Sequence, residues 1–449
     1  MVQPGRGSSG GDVGGSVGGG SAGGGSAGVA RAATIDPSLR REVEAVADAL
    51  GRAMGELIEG VGALGGGPVG GVGERTGGGT VGPTALAGAL GIDKVLASRL
   101  LKALRERDAA SSLHAMPGPE PLRRVARACV ARGVHEVVGL RASEAIARYE
   151  ALIRGRAGDR SRLDAVLSAW APSARREFEL RRKQSLFRAM SEVRGVRAAF
   201  SHATVIVGRG QNEEAFDLVW VNGYRSLCRV RPGAVVKFAS RRVVPWSHGR
   251  SVRALSGGLV TDPGQVVFRP FSSVPPPVVR VEQVEDTVQY VLGDGPVGEG
   301  KNLVYGEVCI AEVPRRVPTG SGRRGFFFAE VAVPCEVLQF DVLIQDGLYW
   351  DEGPELSIYD TSFEGVANVN DRRRDLDRLD LLESVESLGF PAKVRSGDMS
   401  EYGRLVEVAI GARWDYERTW FRGYRCRIDY PIYGTQVVMS FKAEEEEDW

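Results

Sequence analysis

The sequence predicts an α+β protein, with an N-terminal helical domain carrying a helix-turn-helix and then a large, mostly antiparallel β-rich domain, sandwich or barrel-like. Two changes of texture and one length carry this expectation. Between residues 37 and 197 apolar side chains recur at spacings of three and four, the period of an amphipathic helix. After Val196 the pattern gives way to short β-branched and aromatic runs between Gly, Pro and Asp, as in an antiparallel sandwich or barrel. The 449 residues exceed one ordinary domain of roughly 100–200 residues, so two or three are expected.

Residues 1–33 are almost entirely Gly, Ser, Ala and Val, too poor in apolar surface to offset backbone entropy, and read as a disordered tail. Residues 34–64 form one amphipathic helix. Asp36 is a cap, Pro37 suits the first turn, and Leu39, Val43, Val46, Leu50, Met54, Leu57 and Val61 make a narrow apolar stripe. That stripe either packs on the following domain or pairs with its own copy in a dimer. Residues 65–79 are a Gly-rich linker, and 80–198 the helical domain, with helices at 84–90, 94–107, 120–132, 141–154, 159–170 and 172–194. In the β-rich domain, 199–449, strands are expected at 203–207, 216–221, 234–238, 266–271, 278–284, 326–333, 337–344, 356–359, 406–410 and 436–441. One helix near 371–388, with Leu376, Leu379, Leu382 and Val385 along a face, interrupts them, and the acidic end Glu444–Asp448 reads as a solvated tail.

Within the helical domain, residues 83–104 satisfy the steric demands of two short helices crossing at a steep angle. Ala87 is small where the helices touch, and Leu86 and Leu90 form the buried face of the first. Gly91 supplies the left-handed backbone of a tight turn, Ile92 plugs it, and Asp93 can cap the second helix. Ala97, Leu100, Leu101 and Leu104 then turn that helix back to the core.

Leu90, Gly91, Lys94, Ser98, Arg99, Leu100 and Leu101 make this stretch, residues 80–107, resemble the winged helix-turn-helix regulators of the IclR-like and MarR-like kind. The resemblance implies that the second helix enters the major groove of double-stranded DNA. Its DNA-binding residues would be Thr84, Lys94, Val95, Ser98, Arg99 and Lys102. Arg99 is placed for a bidentate contact to guanine and Ser98 for a base or phosphate. Lys94 and Lys102 would neutralise phosphates, and Thr84 would meet the backbone. The sequence departs from the family twice. Val95 and Leu96 stand where small polar residues are usual, and no β-hairpin wing follows Arg107, only a Met-Pro-Gly-Pro stretch and another helix.

Other constellations read as structural. The basic run from Arg175 to Arg197 is offset by Glu177 and Glu179 at helical spacing to Arg181 and Lys183, as in a solvated connecting helix. Gly295, Gly300 and Lys301 nearly fit a phosphate-binding loop. Asn302 replaces the hydroxyl residue and a strand follows, so a hairpin turn is expected. Carboxylates gather around Trp350 (Asp351, Glu352, Glu355, Asp360, Glu364), where a sugar-cleaving or metal site is weighed against a polar loop. His114, His135, His202 and His248 form no ligand pair, and the five cysteines are scattered as in a reduced, cytoplasmic protein.

The net charge of +1 conceals an asymmetry: residues 31–200 hold 28 basic side chains against 19 acidic ones. A basic helical half is the footprint of a phosphate-binding end. No apolar run reaches the roughly 20 residues of a membrane span, and the first residues lack the form of a secretory signal. The expectation is a cytoplasmic, non-enzymatic, homodimeric transcriptional regulator without metal or cofactor, whose β-rich domain senses a small-molecule effector or holds the oligomer together. Two other classes remain open: an interaction scaffold that uses its helix-turn-helix for protein contacts, and an enzyme housed in the β-rich domain.

Overall fold

The computed structural model describes residues 37–64, 82–168, 170, 172–242, 251–258, 260, 263–285, 287–348 and 353–446. The expected tail at 1–33, the linker at 65–79 and the residues from Tyr349 to Glu352 lie outside them. Helices come first, then strands, and the α+β class holds. The chain forms two compact units whose boundary falls between Glu179 and Leu180.

The helical unit contains α1 (Pro37–Leu64), α2 (Pro83–Leu90), α3 (Lys94–Arg105), α4 (Ala109–Ala115), α5 (Pro119–Ala131), α6 (Glu136–Leu152) and α7 (Arg160–Ser168), with a π-helical turn at Ile153–Ala157. The helix α8 (Pro172–Arg194) starts here and runs past the boundary. The apolar stripe of α1 packs inside the chain. Val43, Val46, Leu50, Met54 and Leu57 are buried in one core with Leu100, Leu113, Leu122 and Ile146, so this stripe is not a free dimer seam. Glu56–Arg141 (3.2 Å) and Glu42–Arg156 (2.8 Å) ion pairs flank it. The sequence reading missed α4. Its Asp108 cap accepts from the Ser111 N–H at 2.7 Å, and Ser112 Oγ donates to the Ala103 carbonyl at 3.0 Å, tying α4 to the end of α3.

The second unit has β1 (Val196–Arg209), β2 (Ala215–Arg229), β3 (Lys237–Arg242), β4 (Ser251–Ala254), β5 (Val279–Val284), β6 (Thr287–Leu292), β7 (Gly300–Pro314) and β8 (Arg316–Val317). It continues with β9 (Arg324–Glu330), β10 (Cys335–Gln345), β11 (Glu355–Asp360), β12 (Val385–Gly389), the helix α9 (Tyr402–Gly411), β13 (Phe421–Asp429), β14 (Thr435–Lys442) and β15 (Glu444–Glu445). Seven strands form the main sheet in the order β12-β13-β10-β1-β2-β7-β4, antiparallel except for the central β1–β10 pair. Two three-stranded sheets, β11-β14-β9 and β3-β6-β5, add Phe327, Met439, Phe441, Phe238 and Tyr290 to a core with Val205, Val207, Phe340 and Val342 of the main sheet. Tyr402, Leu405, Val406, Ala409 and Ile410 of α9 cover Phe200, Ile206, Val219 and Leu343 on the opposite face. With both faces covered, β1 is buried without a break from Phe200 to Gly208 and shows no alternation to a reader of sequence.

Four expectations in this unit are corrected. Residues 406–410 belong to α9, because Tyr402, Leu405, Val406, Ala409 and Ile410 meet the sheet at helical spacing. Residues 371–388 form a short 3-10 turn, Arg372–Asp377, and then extended chain into β12; Leu376 is 95% exposed, so there is no apolar helix face to dock. Residues 266–271 lie mostly in 3-10 turns, with Pro270 inside the second, rather than in a strand. Residues 295–302 lie in the connection from β6 to β7 and in the start of β7, and because these strands belong to different sheets they close no hairpin.

Candidate nucleic-acid interface

Between α2 and α3 the chain turns in three residues. Gly91 adopts φ 63°, ψ 31°, the left-handed conformation that ends α2, and the Ile92 N–H bonds to the Ala87 carbonyl at 3.1 Å. The Asp93 carboxylate then accepts from the N–H groups of Val95 (2.7 Å) and Leu96 (3.3 Å), satisfying two otherwise free donors at the start of α3. Leu86 and Leu90 of α2, with Ala97, Leu100, Leu101 and Ala103 of α3, are buried in the helical core. Ile92, Ala87 and Leu104 pack against it in part.

Burying one face of α3 fixes what the other presents. Lys94, Val95, Ser98, Arg99 and Lys102 are all exposed and follow one another at spacings that share a helix surface. Thr84 is exposed in the first turn of α2. Arg105 and Arg107 are exposed too. Sequence reasoning passed over both, although Arg105 lies three residues beyond Lys102 and seven beyond Ser98, in the same stripe. Lys102 Nζ pairs with Glu177 of α8 at 2.8 Å. Where a β-hairpin wing would follow α3, Glu106 is extended and α4 begins at Ala109.

The basic run of α8 forms ion pairs both within the helix and beyond it. Arg175 pairs with Glu179 at 2.7 Å, and Lys183, almost fully buried, pairs with Glu383. Phe187 of the same helix lies against the Tyr430 ring at 5.5 Å. The Lys183 and Phe187 contacts make the end of α8 beyond Glu179 a packing element of the second unit.

Comparison with family models, with curated proteins and with solved structures finds no match. The likeness of residues 80–107 to winged-helix regulators therefore stands on those residues alone.

In the β-rich unit three of the carboxylates read around Trp350, Glu355, Asp360 and Glu364, have local partners, while Asp351 and Glu352 lie outside the described residues. Glu355 pairs with Arg378 (3.2 Å), Asp360 accepts from the Ser362 N–H (2.8 Å), and Glu364 lies 3.6 Å from Arg374. A second polar cluster, unforeseen from sequence, lies beneath α9. Asp341, fully buried, accepts from Tyr402 Oη (2.7 Å) and from Arg425 Nε and Nη2 (2.8 and 2.7 Å). Tyr402 Oη also lies 2.8 Å from Thr204 Oγ1. Burial pushes the Asp341 carboxyl above its ordinary range against the pull of Arg425 and Tyr402. Beyond the end of α9, Arg413 reaches the buried Asp217 at 2.5 Å, and Asp217 also accepts from the Ala311 N–H at 2.8 Å. The two carboxylates thus pin both ends of α9 to the sheet. His202, beside Tyr402 and Phe200, is buried with neither ring nitrogen bonded. Burial, reinforced by the Arg225 charge, lowers its pKa to about 3, so it is neutral near pH 7. Among the described residues no three or more His, Cys, Asp and Glu side chains gather as a metal site, and no helix is long and apolar enough to cross a membrane.

Proposed function

We propose that this chain is a transcriptional regulator that binds double-stranded DNA by inserting the outer face of α3 into the major groove. One observation carries the reading: a capped helix, anchored by Ala97, Leu100 and Leu101, leaves Lys94, Ser98, Arg99, Lys102 and Arg105 together in solvent. Lys94, Lys102 and Arg105 neutralise phosphates and set the register of the helix. Arg99 donates in bidentate fashion to O6 and N7 of guanine, and Ser98 bonds a neighbouring base or phosphate. Thr84 meets the sugar-phosphate backbone from the start of α2. The short turn after α3 leads to α4, so no wing accompanies the helix.

A single helix of this size reads few base pairs, which favours a homodimer on a palindromic site with half-sites about 34–36 Å apart. The β-rich unit then serves as the effector-sensing or oligomer-forming part of a cytoplasmic regulator. Selection of bound duplexes from a randomised library by the full chain tests the reading. An enriched motif that loses one base preference in Arg99→Ala, at a cost of about 1–3 kcal/mol, supports it. Equal weakening on all sequences removes Arg99 from base reading, and failure to enrich any motif removes sequence-specific binding.

A further inference from the structure

The outer face of α3 has one feature that phosphate binding does not use. Val95 is 66% exposed, more than any other large apolar side chain among the described residues of the helical unit. It adds nothing to the core, which Ala97, Leu100 and Leu101 fill from the opposite side of the helix. Its surroundings on α3 are polar: Lys94 before it, Ser98 and Arg99 three and four residues on. Its position is fixed, because its N–H is held by the Asp93 carboxylate at 2.7 Å and a β-branched side chain has essentially one rotamer in a helix.

We propose that Val95 is a specificity-determining residue, reading the C5-methyl group of a pyrimidine next to the guanine bound by Arg99. The inference rests on the DNA-binding reading above and names the base feature that the site takes. An isolated apolar tip among cations suits a hydrophobic protein interface poorly, since the charges around it would have to be desolvated with it. The major groove offers the matching pattern: acceptors and phosphates that take the cations, and a single methyl group where a thymine stands. Side chains four apart on a helix have Cβ atoms about 5–6 Å apart, against a rise of about 3.4 Å per base pair. Val95 and Arg99 therefore reach bases one or two steps apart. The methyl group can belong to thymine or to 5-methylcytosine, which carry it at the same groove position.

The test uses the full chain and the duplex it enriches from a randomised library. Each thymine in turn is replaced by deoxyuridine, which removes only the methyl group, and each cytosine in turn by 5-methylcytosine, which adds one. Wild-type protein is expected to lose about three- to tenfold in affinity on deoxyuridine at one position beside the Arg99-dependent guanine. Val95→Ala should weaken binding to the parent duplex by a similar factor and be indifferent to the exchange. If a cytosine occupies that position, its methylation should tighten wild-type binding and leave Val95→Ala unchanged, assigning the methyl group to 5-methylcytosine. Indifference of the wild type at every position, or an equal response in Val95→Ala, overturns the role of Val95 while Arg99-dependent selection still stands. Enrichment of no duplex overturns the DNA reading itself and this inference with it.

Discussion

Lys102 of α3 is held by Glu177 of α8 through an ion pair of 2.8 Å. If that ammonium group binds a DNA phosphate, as proposed, the carboxylate competes with the nucleic acid for one cation. Both side chains are partly in solvent, where such a pair is worth about 0–1 kcal/mol. Glu177→Gln should therefore raise duplex affinity by up to about fivefold at low salt, with little change in thermal stability. Titration of both proteins on one duplex checks this. Unchanged or weaker binding by the variant would remove Glu177 as a competitor.

Salt sensitivity should scale with the number of phosphate-binding cations. If Lys94, Lys102 and Arg105 each displace one counterion in both protomers of the dimer, the logarithm of affinity falls with that of salt at a slope of about −5. Lys102→Ala removes one contact from each protomer and should flatten the slope by about two without changing the preferred sequence. Affinities measured across a salt series give the slope, and an unaltered one in Lys102→Ala would exclude a phosphate contact by that residue.

The turn before α3 is where local stability can be lost most simply. Asp93→Ala removes the acceptor of two N–H groups and should cost about 0.5–2 kcal/mol. Gly91→Ala should cost about 1–2 kcal/mol, because the left-handed backbone disfavours a Cβ although space is open there. Chemical denaturation followed by helical circular dichroism measures both. An effect near zero for Asp93→Ala would mean that the cap does not hold the helix.

His202 gives the β-rich unit an acid-sensitive term. Its folded pKa, about 3, lies below the ordinary value of 6.5. The unfolded chain therefore binds a proton that the folded chain refuses, and stability falls as pH drops from about 6.5 toward 3. The full effect is on the order of 4 kcal/mol at the acid end. Asp341, whose pKa burial raises, works in the opposite sense, so comparison of wild type with His202→Phe isolates the histidine. The variant should show a shallower loss of stability over this range, and identical pH profiles would show that His202 is not the titrating group.

Sequence periodicity exposed the helical half well because its helices bury one side only. The α1 stripe and the spacing of Leu86, Leu90, Ala97, Leu100 and Leu101 can be read directly. The short α4 carries less than two turns of pattern, and its apolar Ala110 and Leu113 alternate with serines. In the β-rich half, Val406 and Ile410 suggested a strand from β-branched residue types, but packing against a sheet face decided for a helix. The leucines after Asp371 suggested a helix, but Leu379, Leu381 and Val385 pack against the core from extended chain while Leu376 stands in solvent. The exposed face of α3 was legible from residue type and spacing, as was Arg105 had the same stripe been followed one turn further. The Asp341–Tyr402–Arg425 cluster was not legible, since its members lie on strands and a helix far apart in sequence and meet only through sheet pairing.

The most direct test of the central claim places a cutting reagent just beyond the end of α3. All five native cysteines are buried, so Arg107→Cys, outside the proposed contact face, supplies an accessible thiol to which an iron chelate that generates hydroxyl radicals can be coupled. On the enriched duplex, cleavage should fall on a few adjacent base pairs within each half-site and fade as salt is raised. Uniform weak scission along the duplex, or none at low salt, would contradict the placement of α3 in the groove.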